Sequence, residues 1–162
     1  MSALGLGLRT WPSSPIIGLV AGILLLFWKK LLETWLPRLK SHGSEHGVLR
    51  GTVGIWVLIF LAGCFCEELW RAFCLTALKE ADFGLPFVVV LTSISFALAE
   101  LGGIPSRLLP IWEDVVAAMT IGVLLALLFI AAGSLLANCS ANLTFNLSNM
   151  YLIRRRYNAA KT

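Results

Sequence analysis

The sequence predicts an all-α protein, a polytopic transmembrane helical bundle of about five spans. Three observations predict it. Of the 162 residues 58% are hydrophobic and 14% charged, more apolar surface than a soluble domain of this size has interior to hide. The apolar residues gather into runs of near-membrane length, separated by short polar stretches. Basic residues concentrate in alternate connections and in the tail, the pattern of the positive-inside rule. That rule also accounts for the formal charge of +4, so no nucleic-acid partner is expected. The expected surroundings are a lipid bilayer.

Met1 to Ser14 carries one Arg and no small-residue cleavage pattern after an apolar core, so a removable signal peptide is not expected. Pro15 to Trp28 is apolar, with Pro15 suited to a first helical position. The run is short for a span and becomes adequate if Lys29 and Lys30 snorkel and the helix continues to Leu36. Gly18 and Gly22 give it a small-xxx-small face for close packing on another helix. Residues 37–50 are polar and glycine-containing. There His42-Gly-Ser-Glu45-His46 matches an inverted zinc-protease signature, but Gly43, Gly47 and two serines favour a solvated loop over the helix that motif needs.

The second segment runs from about Gly51 to Leu78, ~40 Å of helix against a hydrocarbon core of ~30 Å, so it must tilt, bend or protrude. Lys79, Glu80, Asp82 and Gly84 form a turn, and Leu85 to Leu101 is a third span. Gly102, Gly103, Pro105 and Pro110 mark a loop; Asp114 to Gly133 is a fourth span that reads as scaffold. Ser134 to Ile153 is the fifth. Its Asn138, Asn142, Asn146 and Asn149 recur at helical spacing and form one stripe, expected to face the bundle interior. As a membrane stripe these are not expected to be glycosylated, although three have the acceptor pattern. The four cysteines lie in apolar segments at spacings that match no zinc site, and behave as small hydrophobes. If the first loop is cytoplasmic, Lys29, Lys30, Arg38, Lys40, Arg50, Arg107 and the tail are inside and only Arg9 and Lys79 outside, so an N-out, C-in topology is expected, in the plasma membrane.

The chemistry gathers in polar residues at membrane depth: Glu67, Glu68 and Arg71 on span two, Glu100 on span three, Asn142 and Asn146 on span five. A charge at the bilayer centre costs at least ~2.5–3.5 kcal/mol, so each needs a partner or a task. Glu67 and Arg71 are four apart on one helical face, within pairing distance, with Glu68 turned about 100° away, so one carboxylate can hold the arginine while the other faces elsewhere. If span four packs outside, spans two, three and five converge. A carboxylate there suits a general base toward water, and asparagine amides suit oxyanion donors. Depth opposes this: Glu100 is near the inner end of its span and Glu67 well along its own. An alternative is a hard cation such as Mg²⁺ or Ca²⁺ on the oxygen ligands; the expectation is neither metal nor cofactor.

At these residues the chain resembles the type II CAAX prenyl protease and bacteriocin-processing (CPBP) family of glutamate-type intramembrane proteases. The resemblance covers about residues 52–153, making 1–50 an anchor helix and basic loop, 51–153 the protease-like core and 154–162 a basic tail. The family pattern is Glu-Glu-x-x-x-Arg, then Phe-x-x-x-His, then His-x-x-x-Asn or Asp. Glu67-Glu68-Leu-Trp-Arg71 is one residue short of the first. Phe96-Ala-Leu-Ala-Glu100 has glutamate where the second has histidine, and Asn142-Leu-Thr-Phe-Asn146 replaces the third motif's histidine by Asn142 and keeps Asn146. Anchoring on Trp70-Arg71-Ala-Phe places Cys66 and Glu67 at the two glutamate positions; anchoring on the glutamates makes Glu67 the water-activating residue. The four-residue Glu67–Arg71 spacing favours the first register. The resemblance implies a peptidase acting on a membrane-associated peptide or protein, with Glu67, Glu68, Arg71, Glu100, Asn142 and Asn146 as its site. The departures leave a catalytically degenerate scaffold or partner-binding member as the alternative.

Overall fold

The computed structural model describes residues 13–36, 52–102 and 112–159, with the side chains of 101 and 102 left aside. The histidine-containing stretch at 42–46 lies outside the described residues. Five helices make up nearly all of what is described: α1 (Ser14–Trp35), α2 (Val53–Glu80), α3 (Leu85–Gly102), α4 (Trp112–Ala132) and α5 (Leu135–Ala159). Helices α1, α2 and α4 are long and apolar enough to cross a membrane; α3 is a shorter apolar helix. The burial pattern is inverted relative to a soluble protein. Glu68, Asn138 and Asn142 are at most 1% exposed, whereas Phe27, Leu58 and Leu98 are 66–69% exposed. Only a lipid solvent makes that arrangement favourable, because apolar groups outside cost nothing and backbone polar groups are satisfied within helices. The protein is an integral membrane protein.

Element boundaries follow local chemistry. Proline sits in the first turn of α1, where its missing N–H is not needed. The α4–α5 connection is two residues long and turns on Gly133 at φ +58, whose N–H reaches the Phe129 carbonyl at 2.8 Å. A side chain there would meet the left-handed penalty that glycine escapes.

Helix α1 packs chiefly on α5, and the two run parallel. The glycine face expected of α1 makes this contact. A Cβ on Gly18 would run into the Ala137 carbonyl, and one on Gly22 would stand 2.6 Å from Thr144 Cβ and 2.7 Å from the Ala141 oxygen. Gly22→Val is expected to lose about 1–3 kcal/mol through overpacking, read as a lower unfolding midpoint in mixed micelles. An unchanged midpoint would remove the glycines from the packing argument. Lys30 stays at the rim, paired to Glu33 at 2.8 Å. Lys29 departs from the snorkelling expectation: its Nζ turns to α5 and meets Asn149 Oδ1 at 2.5 Å.

Helices α3 and α4 pack as an antiparallel pair around Gly122, while α2 lies against α5 and α3. Two apolar clusters fill the gaps. Ala72, Leu75, Val88, Val89, Ala126, Phe129 and Leu135 close the end near the α2–α3 turn. Leu25, Phe96, Ile121, Leu125, Ala141 and Phe145 form the other, between α1, α3, α4 and α5.

Candidate functional site

Between these clusters lies the polar centre. Glu68 is wholly buried, and its Oε2 accepts Arg71 Nε at 2.9 Å and Asn138 Nδ2 at 2.8 Å. Its Oε1 accepts Asn142 Nδ2 at 2.8 Å and Arg71 Nη2 at 3.4 Å. Arg71, 2% exposed, also donates from Nη1 to the Gly122 carbonyl at 3.3 Å and lies over the Phe96 ring, 4.5 Å from its centroid. A buried ion pair persists only when its remaining valences are met, and these are met by three other helices.

The partner of Arg71 is therefore Glu68, not the Glu67 that the four-residue spacing favours. Both spacings are within reach on a helix. What decides is the inward face of α2, where Glu68, Arg71, Ala72 and Leu75 point together and Glu67 stands at its edge. Glu67 is half-buried and accepts Asn142 Nδ2 at 3.1 Å. Helix α4 is likewise more than outer scaffold, since the carbonyls of Gly122 and Leu125 receive Arg71 and Asn138.

The asparagine stripe faces inward along its length. Asn138 donates to Glu68 and Leu125, Asn142 to both glutamates, and Asn146 to Asn142 Oδ1 at 2.8 Å and Cys64 Sγ at 3.4 Å. The amide donors expected to serve an oxyanion are thus committed elsewhere: Asn142 to the two carboxylates, and Asn146 to the Asn142 amide oxygen and a thiol. Asn138 belonged to the stripe but not to the expected site, and the stripe's period was the signal that pointed to it. Asn142→Ala is expected to cost about 1.5–3 kcal/mol, the worth of a hydrogen bond to a charged group, read as a lower unfolding midpoint.

The depth objection dissolves when distance is counted from the turn that α2 and α3 share. Glu67 lies 13 residues before the end of α2 and Glu100 lies 15 residues after the start of α3. Both are about 20 Å from that turn at 1.5 Å per residue. Glu100 is exposed and lies within electrostatic range of Cys64, Glu67 and Arg71. In the α2–α3 crevice Glu67, Trp70, Arg71, Cys74, Thr92, Ser95, Phe96 and Ala99 line a cavity of about 70 Å³. That is room for about two water molecules at roughly 30 Å³ each. Among the described residues no group of three or more His, Cys, Asp or Glu is arranged to hold a metal ion.

An inverted helical bundle closed around a buried glutamate–arginine pair, with a second glutamate on a water-sized cavity, defines a membrane-embedded helical protein with an acidic, amide-lined centre. The chain belongs to the family described as type II CAAX prenyl endopeptidase Rce1-like, whose model matches residues 49–148. The match covers α2, α3 and α4, ends within α5 and leaves α1 outside it. No curated protein and no solved structure gives a significant match. At the family level this is a CAAX-protease-like membrane peptidase.

Proposed function

We propose that the chain hydrolyses a peptide bond of a membrane-associated substrate, with Glu67 as the base. The observation that carries this reading is the division of labour between the two acids: Glu68 is consumed by Arg71, and Glu67 lines the cavity. In the proposed step the Glu67 carboxylate takes a proton from water as the oxygen attacks the scissile carbonyl carbon. The charge developing on the carbonyl oxygen falls to Arg71, which lines the same cavity. Collapse breaks the C–N bond, and the proton on Glu67 passes to the leaving amine. Asn142 and Asn146 orient the acids, and Glu100 adds negative charge at the rim. The proposed setting is the plasma membrane with the N-terminus outside, an orientation supported by the basic residues at 29–50, 107 and 154–161.

A second reading rests on Asn142, whose amide is spent on Glu67 and Glu68 and cannot carry a proton as an imidazole can. Both histidines of the chain lie outside the described residues. On that reading the chain is a catalytically degenerate member that serves as a scaffold or binds a membrane partner. The test is cleavage of a fluorogenic prenylated CAAX peptide by purified chain in lipid nanodiscs. Turnover above a protein-free control is expected. A folded chain without turnover on this peptide or on unprenylated membrane peptides leaves the second reading.

A further inference from the structure

At the end of the bundle where α1 and α5 finish, their final two turns carry Lys29, Lys30, Arg154, Arg155 and Arg156. Two of these cations, one from each helix, are held together rather than splayed. Glu33, 5% exposed, receives Lys30 Nζ at 2.8 Å from its own helix and Arg156 Nη2 at 3.3 Å from α5. Lys29 is fixed one turn deeper by Asn149. Glu33, Asp114, Lys30 and Arg156 all lie within electrostatic range of Lys29. At Glu33 two cations, Lys30 and Arg156, share a single carboxylate, which leaves one positive charge in excess at this contact. Side chains of Lys30 and Arg156 remain 42% and 52% exposed, so the surplus is presented outward. Trp35 and Tyr151, 77% and 62% exposed, stand at the same end, and such aromatics mark headgroup depth.

We propose that this α1–α5 end is a binding site for the headgroup of an anionic phospholipid. The buried Glu33 carboxylate gathers like charges that would otherwise repel, and the lipid phosphodiester supplies the missing counter-charge. Positive-inside bias alone calls for basic residues on one side of the membrane. It does not call for a buried carboxylate that ties two helices' cations into one cluster. The site is separate from the glutamate centre and includes α1, which lies outside the family match.

The test follows thermal unfolding of the full chain in a neutral detergent during titration with short-chain phosphatidylglycerol, short-chain phosphatidylcholine or inorganic phosphate. Phosphatidylglycerol is expected to raise Tm saturably, the other two to leave it unmoved, and added salt to weaken the effect. Exposed Arg155→Gln is expected to raise the half-saturating lipid concentration roughly fivefold, the worth of one basic residue near an anionic surface. Arg155→Lys should keep it. Lys30→Gln is the second variant and should weaken binding likewise. Equal shifts with phosphatidylcholine, an equal shift with free phosphate, or a phosphatidylglycerol response untouched by both neutral variants would each overturn the proposal.

Discussion

Replacing Arg71 by methionine is expected to cost about 3–5 kcal/mol of stability, the largest single effect in the chain. The reason is what remains behind. Glu68 is fully buried and keeps only the two asparagine donors once the guanidinium is gone. Removing one member of a buried pair leaves an uncompensated charge, whereas removing both avoids that penalty. Adding Glu68→Gln to Arg71→Met should therefore recover part of the loss. Adding Glu67→Gln should recover less, because Glu67 leans on Asn142 rather than on the arginine. Unfolding in mixed micelles across these four proteins measures the effect. Equal rescue by both glutamine substitutions would contradict the assignment of Glu68 as the partner.

Glu67→Gln is expected to lower kcat for peptide cleavage by about 10²–10⁴-fold, the usual worth of a positioned general base. Glutamine has nearly the same shape and still accepts the Asn142 hydrogen bond, so the unfolding midpoint should hardly move. That split, lost turnover with a retained fold, separates a base from a structural acid. Glu68→Gln should instead depress the midpoint, through the weakened ion pair. If Glu67→Gln cleaves as fast as the unaltered chain, Glu67 is not the base.

Membrane class, helix order and the inward-facing asparagine row were legible in the residues, because hydropathy and a 3.6-residue period are local properties of the chain. Gly18 and Gly22 likewise announced a close helix contact, and α5 supplies it. Less legible was the role of α4. Its contribution comes from the backbone carbonyls of Gly122 and Leu125, which no side-chain pattern reports. Glu33 carries no local signal either, because its importance lies in Arg156, 123 residues away.

The sequence by itself determined that charged and amide groups must be buried together in lipid, since each is too costly there alone. Only the tertiary structure decided how they are shared. On one helix Arg71 can reach an acid three or four residues back at similar cost. The choice of Glu68 follows from neighbours on α3, α4 and α5: the Phe96 ring, the Gly122 carbonyl, and the amides of Asn138 and Asn142 surround that pair and leave Glu67 at the cavity.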